Sequence, residues 1–99
     1  MSISCIKTIT GEDIIGDIFQ REHGVDVETP LMVVVVPTQQ GQYNVGLAPY
    51  MMFSSQKKFT FKNEHVIMQY DPADELRNEY NRITGKGIIV STPKIELVP

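Results

Sequence analysis

Lys57, Lys58 and Lys62 surround two aromatic rings: Lys58, Thr60 and Lys62 fall at one parity, Phe59 and Phe61 at the other. Cations beside aromatics are the residue types that follow a phosphate backbone and stack on the bases of a single strand. The same alternation describes a strand with a buried aromatic face and a solvated lysine face. Both readings put the lysines in water, and they differ on whether the rings can reach a ligand. Arg21 and His23 form a second polar group beside a His23-Gly24 turn. Phosphate contact or base stacking is reasonable chemistry there, and a solvated hairpin tip is the plainer account.

Other arrangements of reactive residues are missing or better explained structurally. No Gly-x-Ser-x-Gly elbow, phosphate-binding P-loop or His-Glu-x-x-His pattern occurs. Asp71, Asp74 and Glu75 lack the spacing of a calcium loop, and helix capping accounts for all three. His23 and His65 are far apart in sequence and have no cysteine partner, which argues against zinc. Cys5 is the one cysteine, so no internal disulfide forms, and it reads as a small packing residue. The expectation is a non-enzymatic protein with no metal and no cofactor.

With 99 residues, 41% of them hydrophobic, and a net charge of −3, the chain fits one soluble globular domain. A domain of this size buries about 60–65% of its unfolded surface, so association between copies is a natural way to add core. The mild acidity argues against a dedicated duplex-DNA binder, which carries a clear excess of Lys and Arg. No apolar run approaches the ~20 residues of a membrane helix. No basic-then-apolar leader opens the chain, and a cytoplasmic location is expected, with no membrane partner.

The elements that must position these residues are mostly strands. Residues 2–9 alternate, and a turn at Thr10-Gly11-Glu12 leads into a second strand over residues 13–22. Gly16 sits inside that strand, where glycine marks a sharp bend or a close backbone approach. Thr29-Pro30 interrupts the next extended run as a bulge or an edge kink. The β-branched residues 31–36 then call for burial on both faces. A single-layer barrel covers only one face, so the chain's own helix or another subunit must cover the other. Tyr43, Val45 and Leu47 alternate with Asn44, Gly46 and Ala48, and Tyr43 and Tyr50 read as core or interface residues. Met51-Met52-Phe53 is expected to pack. A helix is expected to start at Asp71, as cap, and Pro72, as first residue, with Ala73, Leu76, Tyr80 and Ile83 as its apolar stripe. Residues 1–85 form the domain, and residues 86–99 an extended tail with Ile95 and Leu97 on one side.

The stretch Gly11-x-x-Ile14-x-Gly16-x-Ile18 resembles the first motif of the Sm and Sm-like proteins. Thr10-Gly11-Glu12-Asp13-Ile14-Ile15-Gly16, Gly46-Leu47-Ala48-Pro49-Tyr50 and residues 66–80 extend the likeness. Over residues 3–84 the chain resembles more closely the Sm-like proteins of tailed phages of marine cyanobacteria and of marine metagenomes. This resemblance implies a mainly β fold, a small, strongly bent five-stranded barrel, here followed by a C-terminal helix. It also implies a homo-oligomeric ring that binds single-stranded RNA. The turn holding Arg21 and His23 corresponds to a loop where the family contacts RNA. Without gaps, Glu22, Val25 and Asp26 fall on the family's Asp-x-x-Met-Asn segment, which adds Asp26 to the candidates. The candidate nucleic-acid-binding set is therefore Arg21, His23, Asp26, Lys57, Lys58 and Lys62. The family's second motif ends in an Arg-Gly-Asn-like turn, and none lies between Tyr43 and Tyr70. A ring serving as a protein adaptor or scaffold is the alternative, favoured by the net negative charge and the apolar residues 88–98.

Overall fold

A computed structural model describes residues 2–51 and 53–85. The expected tail, residues 86–99, lies outside the described residues. The chain forms β1 (Ser2–Thr8), β2 (Asp13–Gln20), β3 (Gly24–Pro37), β4 (Tyr43–Pro49), β5 (Lys58–Lys62), β6 (Val66–Tyr70) and a single described α-helix, α1 (Asp74–Thr84). A 3-10 turn, Asn63–His65, joins β5 to β6. The fold is mainly β, a small bent, barrel-like antiparallel sheet with a C-terminal helix, as expected.

The hydrogen-bonded order is β4-β3-β2-β1-β6, with β5 also on β3. β3 is the spine. Its first half pairs with β5, from Gly24↔Lys62 to Glu28↔Lys58, and its second half with β4, from Leu31↔Pro49 to Pro37↔Tyr43. Its other edge is taken by β2. β4 and β5 therefore lie end to end along one edge, as a single broken strand. The five-strand expectation becomes six segments for this reason. The bend falls at Thr29-Pro30, where Thr29 has φ of 52°. It is the expected bulge, with Thr29 and Pro30 together standing against Gly16 where the β2–β3 register shifts, and it lies inside the central strand, not at an edge. Loop atoms cover the gap in pairing: the Thr29 amide donates to the Lys57 carbonyl at 2.7 Å, and the Tyr50 amide to the Pro30 carbonyl at 3.3 Å.

Side chains alternate across a strand, so adjacent apolar residues serve opposite faces. One face holds Ile6, Ile14, Ile18, Val25 and Val27, with Tyr50, Phe61 and Val66 packed against them. The other holds Cys5, Ile15, Leu31, Leu47 and Tyr80, with Ile3, Val33, Tyr70, Leu76 and Ile83 around them. The helix thus covers the outer face of the valine-rich strand, at Leu31 and Val33. Its cover stops short of Val35, which remains 56% exposed beside its cross-strand partner Val45.

Two local expectations are corrected. The helix begins at Asp74 with Ala73 as its cap residue and no capping side chain. Pro72 is buried instead, the lead-in to the helix being used for docking, and Asp74 and Glu75 in the first turn face the positive end of the helix dipole. Met51 and Phe53 do not pack: both are exposed.

Candidate nucleic-acid interface

β5 is an edge strand whose alternation the fold resolves. Lys58, Thr60 and Lys62 are exposed, and Phe59 and Phe61 are half-buried. Phe61 joins the inner core, its ring 5.8 Å from that of Tyr50. The Phe61 ring is thus committed to packing and Phe59 is half-buried, so the lysines are the side chains of β5 most open to a ligand. A strand rise of ~3.3 Å per residue separates Lys58 from Lys62 by about 13 Å. Neither lysine, nor the exposed Lys57, has an ion-pair partner among the described residues.

The fold brings the Arg21–His23 turn to the Lys62 end of this row. Gly24 permits it. A Cβ there would sit 2.3 Å from the Phe61 carbonyl oxygen, so only glycine lets β5 approach so closely. The turn is closed by the Arg21 amide donating to the Gly24 carbonyl at 2.8 Å. It is tied to β5 by the Asn63 amide donating to the His23 carbonyl at 3.0 Å. The His23 ring is exposed, with Nε2 3.9 Å from a Glu22 carboxylate oxygen.

Asp26 has a different position. It is 6% exposed, and both carboxylate oxygens are occupied: the Thr60 hydroxyl donates at 2.6 Å and the Arg21 Nε at 2.7 Å. These bonds, Thr60's first and Arg21's second, hold its pKa below the ordinary carboxylate value. Asp26 therefore anchors Arg21, whose side chain remains about half in water, and does not itself face a ligand. Glu22, Glu28 and Glu64 share this surface, so four carboxylates stand among four fixed cations. Attraction for a phosphate chain would come from the unpaired lysines individually, not from a net positive field.

Two features were not identified from the sequence. A cavity of about 430 Å³ under the C-terminal end of α1 is lined by Asp17, Glu28, Thr29, Tyr80 and Thr84, among others. Asp17 and Glu28 are direct cross-strand neighbours, and one Asp17 oxygen is buried without a hydrogen-bond partner. Burial, followed by the Asp17 charge, pushes the Tyr80 phenol well above its usual pKa. The second feature is Phe53, left in water on the loop between β4 and β5. Exposure of a loop aromatic has no periodic signal, and the apolar triplet around it reads as core.

Among the described residues no three His, Cys, Asp or Glu side chains are grouped to hold a metal ion. No described helix is long and apolar enough to cross a membrane. Cys5 is buried, which pushes its thiol pKa up and away from reactivity. The fold and surface define a class: a small bent antiparallel β domain with a lysine-bearing edge strand beside a polar turn. No family model matches the chain, and the search of curated proteins returned no match.

Proposed function

We propose that this chain is a non-enzymatic, ring-forming, cytoplasmic protein of the Sm-like type that binds single-stranded nucleic acid, RNA ahead of DNA. The observation that supports binding best is the row of unpaired, exposed lysines on β5 ending at the Arg21–His23 turn. Support for assembly comes from the open edges. Among the described residues β4, β5 and β6 each pair on one side only, and an unpaired strand edge calls for a partner. The exposed Tyr43 and Val45 on β4, and Ile67 and Met68 on β6, would be buried by edge-to-edge pairing of copies. The same apolar residues, with the net charge of −3, favour a protein-adaptor ring as the second reading.

The test is fluorescence anisotropy of a labelled single-stranded RNA, titrated at several salt concentrations. The double variant Lys58→Ala/Lys62→Ala should weaken binding and flatten the salt slope by about 1.4, at ~0.7 for each phosphate no longer neutralised. Affinity that stays in the millimolar range for every RNA and single-stranded DNA at low salt overturns the binding proposal. Light scattering that returns a monomer overturns the ring.

A further inference from the structure

We infer that Phe53 stacks on a base of the bound single strand. This inference rests on the nucleic-acid reading above and adds a binding group outside β5 and the Arg21–His23 turn. Phe53 is 97% exposed, whereas the other three phenylalanines, Phe19, Phe59 and Phe61, are half-buried. A phenylalanine ring wholly in water has no folding role in the monomer, because burial is what makes it stabilising.

The loop that carries it is held in shape by identifiable bonds. Both ends are tied to the Thr29-Pro30 bend through the Tyr50 amide and the Lys57 carbonyl. Within it, the Ser54 amide donates to the Met51 carbonyl at 3.0 Å, closing a turn. The Gln56 amide donates to the Ser54 hydroxyl at 2.9 Å, and the Gln56 side-chain amide to the Lys58 carbonyl at 2.7 Å. Met51 sits in the left-handed region at φ 54°, a conformation disfavoured for a side chain with a Cβ. A chain that adopts a disfavoured turn and holds it with these hydrogen bonds projects Phe53 in a defined way.

The chemistry of the surroundings selects the occupant. Phe53 is followed by Ser54, Ser55 and Gln56 and then by the exposed, unpaired Lys57 and Lys58. One aromatic face next to hydroxyl and amide groups and two cations matches one nucleotide, a base on the ring and phosphates on the lysines. Stacking of this kind tolerates any base, since every base has a π-face. It also supplies a fully exposed aromatic face, which Phe61, packed in the inner core, and the half-buried Phe59 do not.

The experiment uses a fluorescein-labelled ten-nucleotide uridine RNA and the matching thymidine DNA, with the full chain. Phe53→Ala should weaken binding about tenfold or more while leaving the salt slope unchanged, because the ring carries no charge. Phe53→Leu, which keeps apolar bulk but no ring, should weaken it similarly, and Phe53→Trp should retain it. The chain has no tryptophan, so Phe53→Trp also supplies a single reporter whose fluorescence should be quenched as the oligonucleotide is added. Wild-type binding with Phe53→Ala within twofold overturns this inference and leaves the lysine surface standing. Failure of wild-type binding overturns both. A change in solution mass on Phe53→Ala reassigns the ring to an interface between copies. A blue shift of the Phe53→Trp emission with anionic phosphatidylserine vesicles, and no quenching by oligonucleotide, reassigns it to a lipid surface. Either result overturns the inference.

Discussion

Gly16→Ala tests how the barrel-like curve is formed. Gly16 faces Ser4 on β1 and sits where the β2–β3 register shifts, between Ile15 and Asp17. A Cβ built there meets the Val27 Cγ1 at 2.5 Å and the Glu28 carbonyl oxygen at 3.0 Å. Carbon atoms at ordinary van der Waals separation lie ~3.5–4.0 Å apart, so Val27 would have to retreat by about 1 Å. It has nowhere to go: Val27 is 0% exposed, and a β-branched side chain has little χ1 freedom. Overpacking of this kind costs about 1–3 kcal/mol. Alanine recovers roughly 0.4–1 kcal/mol by restricting the unfolded chain. The net loss should be about 1–2 kcal/mol, or a Tm drop of roughly 5–15 °C for a domain this size. Thermal and urea unfolding followed by circular dichroism would measure it. Val27→Ala in the same chain separates the mechanism, because it removes the clashing methyl. The double variant should be about 1 kcal/mol more stable than the sum of the two single losses. A Gly16→Ala protein as stable as wild type, or strict additivity with Val27→Ala, would refute the close-approach explanation.

Two further predictions concern the groups that hold the site in place. Tyr80→Phe removes a hydroxyl that donates to the Thr29 carbonyl at 2.8 Å from a buried ring, and should cost about 1–2 kcal/mol by denaturant titration. A loss below ~0.3 kcal/mol would mean that the bend does not depend on this bond. Asp26→Asn should remove a pH-dependent part of the stability. The folded pKa of Asp26 is depressed, so its contribution is present above the ordinary carboxylate pKa and fades as pH falls through the lower folded value. Wild type should thus exceed Asp26→Asn in Tm at pH 7, and the gap should close on acidification towards pH 2. A gap independent of pH would contradict the assignment.

Local features of this fold were legible where the signal was local. Gly16 announced a close approach, and of the residues that alternate over 43–47 Leu47 reaches the core while Tyr43 and Val45, at the same parity, stay exposed. The unbroken apolar run at residues 31–36 required cover on both faces, and Leu31 and Val33 receive it from α1. Features that depend on distant pairing were not legible. Asp26 is spoken for by Thr60, 34 residues away, and nothing near Asp26 signals it. The break between β4 and β5 exists because both pair with one bent strand, so it is a property of β3 more than of residues 50–57. Met51 and Phe53 are apolar by composition, but the loop's ends are fixed at the bend and leave them outside the core. The helix start moved to Asp74 because Pro72 is used for packing, a competition that capping preferences do not include.

The bend at Thr29-Pro30 explains why stability and the candidate surface cannot be treated separately. Three segments converge on it. The helix reaches it through Tyr80, whose hydroxyl donates to the Thr29 carbonyl. The loop enters through the Tyr50 amide on the Pro30 carbonyl and leaves through the Lys57 carbonyl on the Thr29 amide. From that last bond β5 runs along β3 to deliver Lys58, and then Lys62 to the Arg21–His23 turn. Thr29 is held in the left-handed region, which is costly for a β-branched residue and persists only when its surroundings over-determine it. The three tethers are that over-determination. Loosening any one of them should relax the bend, and the relaxation would move the Phe53 loop and the first lysines of β5 together. The helix is therefore a positioning element for the β5 surface as well as the cover for Leu31 and Val33.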